Sequence, residues 1–148
     1  MRPDVDAYFR ELGRTLLEEF MPRLPTAFEQ GAAMRYAMLT QAAAEEFNRA
    51  AARRVEENGA VRALFVQAIP LVENDGLRER LRSAAATSDR SLLVRDLDDS
   101  NGRLRALLIE LHAAVEAQTG AAARKLEDTI WAELSASTGR RALSLGRF

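Results

Sequence analysis

His112 is the only histidine among the 148 residues, and it is the first candidate for acid–base or metal chemistry. A di-iron site in a helical bundle needs several glutamates and two histidines, with a glutamate three residues before each histidine. Here Ile109 occupies that position, so the sequence excludes such a site. Glu116 follows His112 by one helical turn and is its expected partner. His112 therefore has two interpretations, as a structural or solvated residue and as a contact to a ligand.

The segment that begins at Asp96 superficially resembles a calcium-binding loop. Its first and third positions are acidic and its fifth is a serine. However, Asn101 replaces the glycine of the sixth position, and Leu107 replaces the bidentate glutamate of the twelfth. The acids are explained more simply as favourable charges in the first turn of a helix. We therefore predict neither a metal site nor a cofactor.

Four residues could line a pocket for an apolar ligand: Tyr36, Met38, His112 and Trp131. Methionine adapts its shape and aromatic rings give flat walls, so the set suits an acyl or aromatic ligand held between helices. Such residues at helical spacing are more often part of a core. Trp131 has a further interpretation as an exposed contact residue, because Ile130 and Leu134 already supply the apolar face of its helix.

The composition excludes several other activities. The chain has no cysteine, which removes disulfides, thiolate zinc sites and cysteine nucleophiles together. The net charge of -1 argues against binding to nucleic acid or to an anionic membrane. The sequence contains no glycine-rich phosphate loop, nucleophile elbow or catalytic triad pattern. Acids near the N-terminus interrupt the apolar core that a signal peptide needs. We expect a cytoplasmic protein that is not an enzyme.

The strongest pattern is a run of residues at alternating steps of four and three: Leu97, Asn101, Leu104, Leu108, Leu111, Val115 and Gln118. This spacing predicts one side of a long helix that another helix must cover. Asn101 has two interpretations. It fixes the register of a symmetric contact between two copies, with Leu104, Leu108 and Leu111 in the same interface, or the helix begins later and Asn101 lies in a turn.

Breakers and apolar periodicity set the other predicted helices. Residues 4–21 form a helix that Pro22 and Pro25 end. Thr26 and Glu29 form a capping box that opens a long helix over residues 27–57. Its predicted buried stripe is a separate set: Phe28, Ala32, Tyr36, Leu39, Ala43, Phe47 and Ala50.

The C-terminal two thirds of the chain complete the predicted bundle. Asn58 and Gly59 are expected to end the long helix, with Gly59 in the left-handed conformation. Further helices are predicted over residues 60–72, 77–86, 97–118 and 121–137, with a kink or an end at Pro70. The segment Leu92-Leu93-Val94 has two interpretations, as helix or as an extended strip laid over the core.

The N-terminal part of the chain resembles a known group of proteins. An apolar helix leads into the Pro-x-Leu-Pro break of residues 22–25, and an alanine-rich helix follows with Phe28, Arg35, Ala37 and the pair Glu45-Glu46. To about residue 55, this pattern is similar to small all-helical bacterial proteins of unknown function. Their genes lie beside those for acyl-CoA dehydrogenases and aminoglycoside-phosphotransferase-like kinases. The resemblance implies an accessory role in acyl-CoA or related catabolism and supplies no catalytic residue.

Together these patterns predict an all-α fold. We expect one domain over residues 1–148, a bundle of about five to six helices, two of them long and antiparallel, with a short basic tail from about residue 140. The leading functional prediction is a non-catalytic protein that self-associates as a homodimer and serves a partner enzyme. The alternative is a small-molecule binding protein with a pocket between helices.

Overall fold

The structure is a computed structural model that describes residues 4–144. These residues form five α-helices and no β-strand, which confirms the all-α prediction. The helices are α1 Val5–Thr15, α2 Ala27–Ala68, α3 Asp75–Ala85, α4 Val94–Glu116 and α5 Ala121–Arg141. The described chain divides into two compact units. Unit 1 comprises residues 4–50 and 142–144, and unit 2 comprises residues 51–141.

Unit 1 is built on α1 and the first part of α2. The α-helical part of α1 is shorter than predicted, because a π-helical turn over Leu16–Phe20 and a 3-10 turn over Met21–Arg23 follow it. The predicted capping box is confirmed at the start of α2. The Glu29 amide donates to Thr26 Oγ1 at 3.2 Å, and the Thr26 amide donates to Glu29 Oε2 at 3.1 Å. These two bonds satisfy amide groups that the first turn of a helix leaves open.

Within unit 1, small residues allow α1 and α2 to approach closely. Gly13 is the buried residue of α1, and a Cβ atom there would lie 2.7 Å from Thr40 Oγ1 and 3.2 Å from the Ala37 carbonyl oxygen. Ala33, Ala37 and Ala44 share that side of α2 and are buried. The Asn48 amide also donates to Asp6 at 2.8 Å. The alanine side of α2 is therefore the side that packs against α1.

This packing overturns most of the buried stripe predicted for α2, since Ala50 alone of its seven residues is buried. Phe28, Tyr36, Leu39 and Phe47 are exposed. They lie about 100° around the helix axis from the buried alanines. The physical reason is the close approach at Gly13, which only small side chains permit, so the bulky stripe points away from that contact.

Unit 2 has a continuous apolar core. Six of the seven predicted positions are buried on α4, which confirms the spacing argument for them: Leu97, Asn101, Leu104, Leu108, Leu111 and Val115. The seventh, Gln118, lies after the end of α4 at Glu116 and is half-buried. Helices α2, α3 and α5 contribute Phe65, Leu81 and Ile130, which are fully buried in the same core. The side of α4 that needed another helix is thus covered by helices of its own chain.

Several predicted boundaries in unit 2 were wrong. The predicted helix end at Asn58 and Gly59 is absent, because α2 is a single helix of 42 residues that continues through both. Among the described residues, Gly120 alone has a positive φ, and it separates α4 from α5 as predicted. α5 continues through Gly139 to Arg141, so the predicted basic tail begins inside a helix. Residues 145–148 of that tail lie outside the described part of the chain.

The segment Leu92-Leu93-Val94 matches neither of its interpretations. Residues 87–93 have no regular secondary structure, and α4 begins at Val94. All three side chains are exposed, so the segment does not cover the core as an extended strip. At Pro70 the prediction is confirmed, because α2 ends at Ala68 and a 3-10 turn over Ile69–Leu71 follows.

Candidate functional site

The first candidate surface is the exposed stripe of α2 in unit 1. We call it the α2 outer face and define it by six residues: Phe28, Ala32, Tyr36, Leu39, Ala43 and Phe47. The exposed fractions are 79% for Phe28, 62% for Tyr36 and 55% for Phe47. The rings of Phe28 and Phe47 are wholly apolar. Exposed aromatic residues clustered on one face of a helix are typical of a contact surface.

The size pattern of the α2 outer face reads the same in both directions. Large residues stand at both ends and in the middle, and the alanines separate them. The steps between successive members are four, four, three, four and four residues. The face extends about 28 Å along the helix axis at 1.5 Å per residue. A pattern with this symmetry fits an antiparallel copy of itself.

Unit 2 contains the second candidate, a buried polar cluster around Glu57. The carboxylate of Glu57 accepts from Arg141 Nη2 at 2.6 Å and from Arg141 Nε at 3.0 Å. The Ser137 hydroxyl donates to it at 3.2 Å, and Asn101 Nδ2 is 3.4 Å away. Burial on its own raises the pKa of Glu57, but the hydrogen bonds and charge of Arg141, together with the Ser137 bond, lower it further, so the net pKa lies below the usual value.

The cluster continues from Glu57 through amides. Asn101 Nδ2 donates to Asn58 Oδ1 at 2.9 Å, and Arg141 Nη2 donates to Asn101 Oδ1 at 3.3 Å. Asn58 Nδ2 donates in turn to Asp89 at 3.0 Å and to the Leu97 carbonyl oxygen at 3.3 Å. This use of the Asn58 side chain explains why the residue sits inside α2 and does not end it.

The far end of the cluster is a second ion pair. Arg62 Nη2 donates to Asp89 Oδ1 at 2.7 Å, and both side chains are nearly buried. The Ser100 hydroxyl donates to the same oxygen at 3.1 Å. Hydrogen bonds from Arg62 are the main cause that lowers the pKa of Asp89, against the opposing effect of burial. Both buried carboxylates are thus held ionised by arginine, which suits a structural role and leaves neither poised as a proton donor near neutral pH.

His112 lies at a third place, where α4 meets α5. Its ring contacts the Trp131 ring edge to face, with centroids 5.1 Å apart and an interplanar angle of 83°. Its Nε2 atom is 3.5 Å from Glu116 Oε1, as the one-turn spacing predicted. Glu127 of α5 joins them, since one ligand atom from each of these three residues lies within 4.8 Å of the others. The sequence showed the first pair, but no local pattern reveals which residue of α5 faces them.

A polar cleft of about 810 Å³ lies between the end of α3, the segment of residues 86–93 and the first turns of α4. Arg90 and Arg103 line it together with Asp96 and Asp99. The mixed charge favours neither an anion nor a cation, and the lining does not include the aromatic residues that an apolar ligand would need.

The residues predicted to form an interface between two copies lie in the core of unit 2. Asn101, Leu104, Leu108 and Leu111 are buried inside unit 2, so they form the core of their own chain and do not present an interface to a second copy. Asn101 lies within α4, which rules out the turn interpretation, but its partner is Asn58 of the same chain and not an equivalent asparagine.

The four predicted pocket residues divide between the two units. Tyr36 and Met38 belong to unit 1, where Tyr36 is exposed and Met38 is half-buried. His112 and Trp131 belong to unit 2 and touch each other. Trp131 is more than half exposed, in agreement with its interpretation as a surface residue.

Comparison of the chain with protein-family models, with curated proteins and with solved structures gives no match. None of the helices within residues 4–144 combines the length and the apolar character needed to cross a lipid bilayer.

Proposed function

We propose that this chain is a non-catalytic helical protein that forms a homodimer through the α2 outer face. The observation that carries the proposal is the exposure of Phe28, Tyr36 and Phe47 on one side of a single helix. A solvated helix normally turns charged or polar residues outward, so an aromatic stripe in that position needs a cover.

The size of the face suits a weak, specific dimer. With about 200 Å² for a whole aromatic side chain, the three exposed rings present about 400 Å² on one copy and about 800 Å² in a symmetric pair. Leu39, the two alanines and the flanking residues bring the total to about 1,000 Å², at the lower end of specific interfaces. We therefore expect association in the micromolar range.

The arrangement of the residues favours a second copy over an unrelated partner. A two-fold contact must be self-complementary, because the same patch serves both sides. In an antiparallel pair centred between Tyr36 and Leu39, Phe28 of one copy meets Phe47 of the other. Ala32 then meets Ala43, which lets the two backbones approach closely. A heterologous partner would place no such demand on the sequence.

Sedimentation velocity of the full chain over roughly 1 to 500 µM tests the proposal. We expect the unaltered chain to shift from monomer to dimer across this range. Leu39→Glu places two like charges near the two-fold axis, so this variant should stay monomeric. Leu39 is exposed in the single chain, and the substitution should leave the circular dichroism spectrum unchanged.

Ile109→Glu is the matched control, because Ile109 is an exposed apolar residue of α4 in unit 2. It should dimerise like the unaltered chain. A monomer at every concentration, or an equal effect of the two substitutions, would overturn the proposal. The accessory role implied by the resemblance and the cytoplasmic location stay predictions that this experiment does not address.

A further inference from the structure

We infer that His112, Glu116 and Glu127 form a binding site for a divalent transition-metal ion, with Zn²⁺ as the best fit. The site lies within unit 2, between the last turn of α4 and the first turns of α5. It is separate from the buried cluster around Glu57 and does not depend on the proposed dimer.

The geometry is close to a metal site without any change in the backbone. A tetrahedral zinc ion with bonds of about 2.0 to 2.2 Å holds its ligand atoms about 3.4 Å apart. The distance from His112 Nε2 to Glu116 Oε1 is already 3.5 Å. One ligand atom from each of the three residues lies within 4.8 Å of those of the other two. Side-chain rotations that shorten these distances by about 1.4 Å or less place the three atoms at corners of a tetrahedron.

An unsatisfied atom at the centre of the group points independently to a ligand. His112 Nε2 is buried and has no hydrogen-bond partner. Buried polar side-chain atoms have a hydrogen-bond partner in the large majority of cases, because burial of an unpaired atom removes its hydrogen bonds to water without replacing them. The neighbouring Glu116 oxygen is at the limit of hydrogen-bond distance and does not satisfy it. A metal ion bound to the Nε2 lone pair does.

The candidate site is covered on one side and open on another. The Trp131 ring lies against His112 and shields one side of it from water. Glu116 is about half exposed, so one side of the site remains open to solvent. Three protein ligands would therefore leave at least one coordination position for water, as in zinc sites of the open type.

The ligand set selects a class of metal. One imidazole nitrogen with two carboxylate oxygens suits Zn²⁺ and other first-row divalent ions. Mg²⁺ prefers an all-oxygen octahedral shell and retains most of its water, so it should bind far more weakly. Thiolate-seeking ions gain nothing here, since the chain has no cysteine.

Titration of the tag-free chain with ZnCl2 tests the inference, by calorimetry for stoichiometry and by tryptophan fluorescence for location. Trp131 is the only tryptophan and His112 the only histidine, so a fluorescence change reports this place. We expect one ion per chain with a micromolar dissociation constant, and no comparable response to MgCl2. Glu127→Gln and His112→Gln should each weaken binding by tenfold or more.

Asp128→Asn is the matched control, because Asp128 is the exposed neighbour of Glu127 and lies outside the three-residue group. It should bind zinc as the unaltered chain does. Repeating the titration on Leu39→Glu separates the site from the proposed dimer and excludes an ion shared between copies. The inference is overturned if no binding occurs at roughly 100 µM Zn²⁺, or if Asp128→Asn weakens binding as much as Glu127→Gln does.

Discussion

The ion pair between Glu57 and Arg141 is asymmetric, and that asymmetry gives a quantitative prediction. The Glu57 side chain is 1% exposed, whereas the Arg141 side chain is 48% exposed. Arg141→Met removes the arginine that donates two hydrogen bonds to the buried carboxylate, and the bonds from Ser137 at 3.2 Å and Asn101 at 3.4 Å remain. Removing one partner of a buried pair typically lowers the free energy of unfolding by about 3 to 5 kcal/mol. Water reaches part of this pair, so we expect about 3 kcal/mol.

The converse change should be milder. Glu57→Gln keeps the shape of the side chain and removes the buried charge, while the half-exposed Arg141 turns to solvent. We expect a loss of about 1.5 to 2 kcal/mol, at the lower end of the net value of hydrogen bonds to charged groups. In the double variant the uncompensated carboxylate is gone, so its stability should exceed that of Arg141→Met alone.

Urea unfolding at pH 7, followed by Trp131 fluorescence, measures these differences within unit 2, where both residues and the tryptophan lie. Arg82→Met is the control, because Arg82 pairs with Glu79 on the surface and both side chains are more than half exposed. Its effect should stay below about 0.5 kcal/mol. The reasoning fails if Arg141→Met is no worse than Glu57→Gln, or if the double variant is the least stable of the three.

Three further predictions concern stability. Asn101→Leu should lower the free energy of unfolding by about 1 to 3 kcal/mol although leucine suits the spacing of α4, because the buried Oδ1 atom of Asn58 loses its hydrogen-bond donor. Urea unfolding measures this difference, and a stabilised variant would contradict it. Gly13→Ala should destabilise the protein by about 1 to 3 kcal/mol, since its Cβ atom would lie 2.7 Å from Thr40 Oγ1. Gly102→Ala lies in open space within α4 and should stabilise the protein by about 0.5 to 1 kcal/mol. Thermal melts in which the two variants change stability in the same direction would refute this contrast. The folded-state pKa of Glu57 is depressed, so its contribution to stability is complete above the usual carboxyl range and is lost as the pH falls through the folded value. Glu57→Gln should therefore flatten the decline of stability below about pH 5, and two parallel acid curves would contradict the assignment.

The spacing of α4 could be predicted because it is a local property. Six side chains at steps of four and three must share one side of a helix, whatever covers them, and all six are buried. The capping box at Thr26 and Glu29 was readable for the same reason, since both of its bonds join residues three apart.

Features that depend on distant partners were not readable. Asn58 and Gly59 have the composition of a helix end, but the Asn58 side chain is bonded to Asp89, 31 residues later, and α2 continues. Glu127 completes a group with His112 only because of the rotation of α5 against α4. Neither contact can be detected from the hydrophobic periodicity of a single helix.

The α2 outer face shows why an apolar stripe alone does not identify a core. Two sides of this helix in unit 1 are apolar, one of alanines and one of aromatic residues. The periodicity argument chose the larger side chains, because they lose more surface on burial. The contact at Gly13 has the opposite outcome, because α1 and α2 approach so closely there that only small residues fit between them. The close approach of the two backbones adds dispersion contacts that stabilise this packing. The larger stripe is then exposed in the single chain, and its palindromic order of sizes suits the proposed isologous contact, which must be self-complementary.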